Sequence, residues 1–163
     1  MEKEGTNENM LYQSHDLEQY YSAKEYIDTL LIPLLPISMK NENESKKTAD
    51  QNELLTLFSN EIENQYKGRC LLTPPYTYFT GDLWNNEKER LLMWQQSFAP
   101  LPFKHFVFIT SDHSWKLVEK FMDGYFVWFP SIPTKELQDQ EVKKIIQTQV
   151  DEVSQFMKMI WKS

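Results

Sequence analysis

With 163 residues and a net charge of -7, the chain has the length of one ordinary domain, and 40% hydrophobic and 14% aromatic residues supply a core. An acidic chain whose only arginines are Arg69 and Arg90 matches a phosphate backbone poorly, so we expect no nucleic-acid partner. No apolar run approaches the ~20 residues of a membrane span, which argues against membrane insertion.

The negative charge is concentrated in the first third of the chain, where residues 1–53 contain 11 acids and 5 bases. We expect a polar disordered leader over residues 1–13, a single α/β domain over residues 14–163, and a mobile polar loop at 38–47. The single cysteine, Cys70, excludes an intrachain disulfide, and the N-terminus lacks the apolar core of a signal peptide. We therefore expect a cytoplasmic protein.

Apolar spacing and turn residues divide the chain into alternating helices and strands. Ser14 or Asp16 is a candidate cap for a first helix, and capping-box spacings at 48–53 open a second helix that Gly68 closes. A third helix begins at Asn86, a short one follows Trp115, and a long one runs from 134 to the end. The predicted strands are 27–32, which leaves the sheet near Pro33, then 69–73, 103–109 and 125–129.

This alternation predicts an α/β fold. Helices between successive strands favour a three-layer sandwich around a four-stranded, mainly parallel sheet, Rossmann-like or flavodoxin-like, with a long C-terminal helix. The sequence leaves the order of the strands open. In such folds ligands bind beyond the carboxyl ends of the strands.

Polar and aromatic residues follow the predicted strands and mark a candidate pocket at their carboxyl ends. The candidate pocket residues are Tyr76, Thr110, Ser111, Asp112 and His113. Ser111, Asp112 and His113 are the residue types of a hydrolase triad, but adjacent residues point in different directions and do not converge. The alternative is that Ser111 or Asp112 caps a helix. We assign no catalytic residue.

The sequence predicts neither a cofactor nor a metal ion. None of the four glycines directly follows a predicted strand, where a phosphate-binding loop needs them. The three histidines have no metal-ligand spacing, and a single cysteine does not complete a cysteine-rich site.

Aromatic residues in the connection after the second predicted strand are candidates for an interaction surface, with Tyr76, Tyr78 and Trp84 as its main residues. The alternative is that they cover the core. The last turns of the final helix, 156–161, are a further candidate for contact with a partner. We therefore predict a non-enzymatic protein-binding or adaptor module; the alternative is a small-molecule enzyme or sensor that uses the strand-end pocket.

The stretch from Asp16 to Thr29, continuing through Leu31 to Leu34, resembles the opening of a small family of uncharacterised proteins from spore-forming Gram-positive bacteria and their relatives. The segment from Phe108 to Asp112 and the last predicted strand are similar to it as well. The resemblance implies a bacterial cytoplasmic setting and transfers no catalytic residue.

Overall fold

The computed structural model describes residues 10–81, 84–98, 100–101, 103–134 and 136–162, without the side chains of residues 84 and 85. Two short 3-10 helices, His113–Leu117 and Glu119–Phe121, lie between the last two strands. The other elements, in chain order, are α1 (Ser14–Ala23), β1 (Thr29–Ile37), α2 (Glu42–Gln65), β2 (Cys70–Leu72), β3 (Tyr76–Phe79), α3 (Trp84–Gln96), β4 (His105–Thr110), β5 (Tyr125–Trp128) and α4 (Asp139–Lys162).

The strands form one open parallel sheet in the order β2-β1-β4-β5, and β3 also pairs with β1. The predicted α/β class, the mainly parallel sheet and the long C-terminal helix are confirmed. Five strands are described rather than the four predicted, because Tyr76–Phe79, in a stretch without a recognised period, forms β3. The strand order reverses between β1 and β4, the place where ligands bind in many open α/β sheets.

Two prolines in β1 explain why the prediction ended this strand too early. Between the pairs Leu31–Leu72 and Leu34–Tyr76, two residues of β1 lie opposite the three residues that connect β2 to β3. The extra residue in this connection makes a bulge. Backbone N–H groups of successive residues point to opposite sides of a strand. At Pro33, the side on which the N–H is missing faces this bulge. Pro36 lies beyond the last residue that pairs with β4. Neither proline therefore removes a ladder hydrogen bond.

Helices cover both faces of the sheet and give two apolar layers. On one face, α1, α3 and the 3-10 helices pack on a core that includes Leu30, Ile32 and Phe108. On the other, α2 and α4 pack on a core that includes Leu31 and Val107. Neighbouring residues of each strand alternate between the two layers, as the pleat requires.

Part of the predicted leader belongs to the fold. Met10 is buried and Leu11 forms a parallel bridge with Leu72. The Met10 carbonyl accepts a hydrogen bond from the Leu72 N–H at 2.8 Å, so this short segment covers the outer edge of β2. Residues 1–9 of the predicted leader lie outside the described residues.

The predicted mobile loop at 38–47 is wrong from residue 42 onward, because α2 begins there. The Asn41 side chain caps this helix by accepting a hydrogen bond from the Glu44 N–H at 2.8 Å. An ion pair of 2.8 Å between Lys46 and Glu42 links two of its exposed side chains. The first turn of α2 faces solvent and contains polar residues, which is why the sequence predicted a loop there.

The last turns of α4 pack on the sheet. Met157 and Ile160 are buried, and the Trp161 Nε1–H donates to Thr29 Oγ1 at 2.8 Å. The prediction that 156–161 projects toward a partner is therefore wrong for these residues. No helix in the described part of the chain is long and apolar enough to cross a membrane.

Candidate functional site

The carboxyl end of β4 forms a polar corner. Thr110 is fully buried, and its Oγ1 accepts a hydrogen bond from the Asp112 N–H at 3.0 Å. Asp112 Oδ1 in turn accepts from the Ser114 N–H at 3.0 Å and caps the first 3-10 helix. The capping alternative is thereby confirmed for Asp112.

The second oxygen of Asp112 is bound by a residue that the predicted pocket did not contain. The Tyr78 hydroxyl donates to Asp112 Oδ2 at 2.7 Å, and the Trp115 Nε1–H donates to the Tyr78 oxygen at 2.8 Å. Both rings are buried and meet edge to face, with centroids 5.1 Å apart. Burial, followed by the Asp112 carboxylate, raises the pKa of Tyr78, so its hydroxyl stays protonated.

Tyr76 does not join this polar corner through its hydroxyl. Its ring lies 6.2 Å from the Tyr78 ring, but its hydroxyl donates to Glu87 Oε1 at 2.7 Å, on α3. The Arg90 guanidinium lies 4.5 Å from the Tyr76 ring and also donates to the Thr77 carbonyl. Burial, followed by Glu87, raises the pKa of Tyr76. Tyr76 therefore links the core to α3.

His113 and Ser111 are not brought together for acid-base chemistry. His113 is exposed, and its ring stacks on Trp128 at a centroid distance of 5.7 Å. Ser111 Oγ is buried and has no hydrogen-bond partner among the described atoms. Since a general base must lie within hydrogen-bond reach of the group that it deprotonates, this arrangement does not activate a serine. The described contacts at this strand end are those of a helix cap and of a packed core.

The predicted aromatic interaction surface is wrong for Tyr76 and Tyr78, which are each 2% exposed and belong to the core. Alternation along β3 turns both rings inward and leaves Thr77 and Phe79 outside. The side chain of Trp84, the third predicted residue, lies outside the described residues.

A different aromatic surface is present between α1 and α3, and we call it the α1–α3 groove. Its volume is about 380 Å³, and all of the described residues that line it are uncharged. The twelve lining residues are Leu17, Tyr20 and Tyr21 of α1, Trp94 of α3, Ser97 and Phe98 just after it, Leu71, Thr73 and Pro74 at the end of β2, and Tyr12, Leu101 and Phe103.

The rim of the groove exposes large apolar side chains, while its floor is part of the core. Tyr21 is 65% exposed, Tyr12 62% and Leu101 43%. Tyr20 is 3% exposed and stacks on Phe103, with centroids 5.9 Å apart. An apolar groove with a few polar groups is the usual form of a binding site.

Two buried carboxylates hold the segment that carries Tyr12. Glu63 Oε2 accepts a hydrogen bond from the Met10 N–H at 2.8 Å, and Asp16 Oδ2 accepts from the Leu11 N–H at 3.1 Å. Burial raises the pKa of Glu63, and Asp16 adds to this, although the Met10 N–H and Lys67 oppose it. The segment at the rim of the groove is thus held by two contacts, and the one with Glu63 spans more than fifty residues of sequence.

Sequence reasoning did not find this groove, because its walls come from three separate stretches of sequence, 12–21, 71–74 and 94–103. The available signal was the pair Tyr20 and Tyr21 in α1. Adjacent aromatic residues on a helix point about 100° apart, so one can enter the core while the other stays at the surface. No group of three or more potential metal ligands occurs among the described residues.

Comparisons with known proteins agree with the resemblance seen in the sequence. The family described as a protein of unknown function, DUF2487, matches residues 18–161. The uncharacterized protein YpiF of Bacillus subtilis (strain 168) is 32% identical over 157 residues, which cover 93% of this chain and 98% of the relative. No solved structure matches the chain significantly. The chain therefore belongs to the DUF2487 family of proteins of unknown function.

Proposed function

We propose that this protein is a non-enzymatic binding module that holds a partner protein in the α1–α3 groove. The observation that carries the proposal is an uncharged, aromatic groove whose rim leaves Tyr12, Tyr21 and Leu101 substantially exposed. Exposed apolar surface that forms a groove often marks an interaction site, and tyrosine is enriched in the central contacts of interfaces.

The alternative, a small-molecule enzyme or sensor at the strand ends, has less support. Both oxygens of Asp112 already accept hydrogen bonds within the protein, one of them from a tyrosine that stays protonated. His113 is exposed and stacked on Trp128. A substrate at this corner would have to displace contacts that build it.

We further propose that the protein acts in the cytoplasm. The single cysteine, Cys70, is free and buried, and burial raises the pKa of its thiol. A protonated, inaccessible thiol suits a reducing compartment in which disulfides are rare.

The test is capture of partners from an extract of the host cells, with variants in matched pairs. Leu101→Asp places a charge on the groove, and Leu57→Asp places one on an equally exposed leucine of α2, since the two side chains are 43% and 49% exposed. Tyr21→Ser and Tyr26→Ser form a second pair, at 65% and 69% exposure, of which Tyr21 alone lines the groove.

We expect mass spectrometry to find a stoichiometric protein partner with the wild type and with the Leu57 and Tyr26 variants. Recovery should fall more than about tenfold with Leu101→Asp, because an unpaired charge is costly in an apolar contact. Circular dichroism of every variant checks the fold. Equal recovery within both pairs, or retention of a small molecule with no protein partner, would contradict the proposal.

A further inference from the structure

Tyr20 differs from the other buried tyrosines near the sheet in that its hydroxyl has no hydrogen-bond partner among the described residues. The ring is 3% exposed, meets Tyr21 edge to face with centroids 5.0 Å apart, and lines the α1–α3 groove. A buried tyrosine normally finds a partner for its hydroxyl. The Tyr20 oxygen is not among the fully buried oxygens without a partner, so it is open to solvent and available to a molecule bound in the groove.

The other hydroxyls inside the groove are already in use. Thr73 Oγ1 donates to the Leu31 carbonyl at 3.2 Å, and Ser97 Oγ donates to the Met93 carbonyl at 3.3 Å. The hydroxyls of Tyr12 and Tyr21 belong to exposed side chains. Among the hydroxyls of the groove, that of Tyr20 is thus the one that belongs to a buried residue and has no partner among the described residues. Burial raises its pKa, so it donates a proton rather than carrying a charge.

The charge and size of the groove limit what it can hold. The twelve lining residues that the structure describes are uncharged and offer no counterion to a charged group. Its volume of about 380 Å³ lies at the small end of the range for ligand sites, so it holds one or two side chains rather than the face of a long helix. These properties fit a single anchor of the kind that dominates many protein interfaces.

From the donor, the charge and the size, we infer that the groove binds a short uncharged segment of a partner protein. The segment inserts one large apolar side chain and offers a backbone carbonyl to the Tyr20 hydroxyl. This inference rests on the proposed function, because it names the chemistry of the partner at the same groove. It also assigns a role to Tyr20: its hydroxyl favours a ligand with a hydrogen-bond acceptor over a purely apolar ligand.

The test uses a phage-displayed library of random twelve-residue peptides, selected on the immobilised full chain. Enriched peptides are synthesised, and their affinities are measured by fluorescence polarisation. We expect them to share an aromatic or large aliphatic residue between uncharged neighbours, to bind wild type and Tyr26→Ser equally, and to fail to bind Leu101→Asp. Tyr20→Phe should weaken binding roughly 3- to 10-fold, the effect of one neutral hydrogen bond.

Tyr20→Phe keeps the ring and removes no internal hydrogen bond, so its fold and stability should match the wild type. Peptides that require Leu101 but bind Tyr20→Phe unchanged would overturn the inference and leave the proposed function standing. Peptides whose essential anchor is charged would overturn it as well. If no selected peptide distinguishes Leu101→Asp from Leu57→Asp, the inference and the proposed function both fail.

Discussion

Removing the Tyr78 hydroxyl tests whether the polar corner at the end of β4 is structural. In Tyr78→Phe the ring stays in the core, but Asp112 Oδ2 loses a donor at 2.7 Å and the Trp115 Nε1–H loses an acceptor at 2.8 Å. Tyr78 is 2% exposed and Trp115 is 0% exposed, so water does not easily replace the hydroxyl. The variant therefore removes these two hydrogen bonds, and the contact of the hydroxyl with Thr110, while the ring keeps its packing.

The expected cost follows from the kinds of bond. A hydrogen bond to a charged carboxylate contributes about 1.5–3 kcal/mol and a neutral one about 0.5–1.5 kcal/mol, so we expect a loss of about 2–4 kcal/mol. This is a large part of the 5–15 kcal/mol that typically separates folded from unfolded protein. For a chain of this length, it corresponds to a lower melting temperature by roughly 4–16 °C.

Urea unfolding, followed by tryptophan fluorescence and circular dichroism, gives the free energy of unfolding. The control is Tyr26→Phe, at a tyrosine that is 69% exposed, where we expect a change within about 0.5 kcal/mol. If Tyr78→Phe is as stable as this control, the corner contributes nothing to the fold. Asp112 would then again be a candidate for chemistry.

The same variant has a predicted alkaline phenotype. Because the pKa of Tyr78 is raised in the folded state, first by burial and then by Asp112, the fold favours the neutral phenol. This stability is complete below the pKa of free tyrosine, about 10, and is lost above it as the unfolded chain ionises. Wild type should lose stability above pH 10 more steeply than Tyr78→Phe. Equal slopes would contradict this assignment.

Two further substitutions probe the core. Burial raises the pKa of Glu63, so the folded state favours the neutral carboxyl. The neutral carboxyl therefore contributes stability below the pKa of a free glutamate, about 4.3, and this contribution is lost as the pH rises through the pKa of Glu63 in the folded state. Glu63→Gln, which keeps an oxygen to accept from Met10, should therefore resist urea better than wild type at pH 7.5, by a margin that shrinks toward pH 5; a constant margin would contradict this. Gly124→Ala should lower the free energy of unfolding by about 1–3 kcal/mol, because a Cβ would lie 2.7 Å from the Phe106 carbonyl oxygen. The control is Gly68→Ala, which has a positive φ and no atom near the added Cβ, so it measures backbone strain without a clash.

The fold was predictable where local signals are strong. The apolar spacing of α4 and the β-branched run of β4 give the right elements within a few residues. β3 was missed because it has four residues, directly after Pro74 and Pro75. The 3-10 helices after β4 were predicted as one short helix, since Trp115 and Val118 have helical spacing but the chain turns more tightly.

The candidate site was less predictable than the fold, because its contacts are distant in sequence. The cap at Asp112 is local and was recognised as an alternative. The Tyr78 hydroxyl reaches Asp112 across 34 residues, and no spacing rule connects them. The same limit hid the α1–α3 groove, where Tyr20 meets Phe103. A single sequence carries periodicity and caps, whereas such pairs depend on how the layers pack.

The hydrogen bonding of buried polar groups indicates where a ligand can act. Asp112, Tyr78 and Glu63 are all bonded within the protein, and a ligand that took one of these bonds would have to compensate for the loss. Ser59, Tyr66 and Ser111 have buried oxygens without partners in the described part of the chain, but these atoms are closed to solvent. The Tyr20 hydroxyl has no partner in residues 10–162 as far as these are described, and Tyr20 lines an open groove. A donor that a partner can reach is what a binding site needs, and this is our reason for proposing that a partner binds at α1 and α3 rather than at the strand ends.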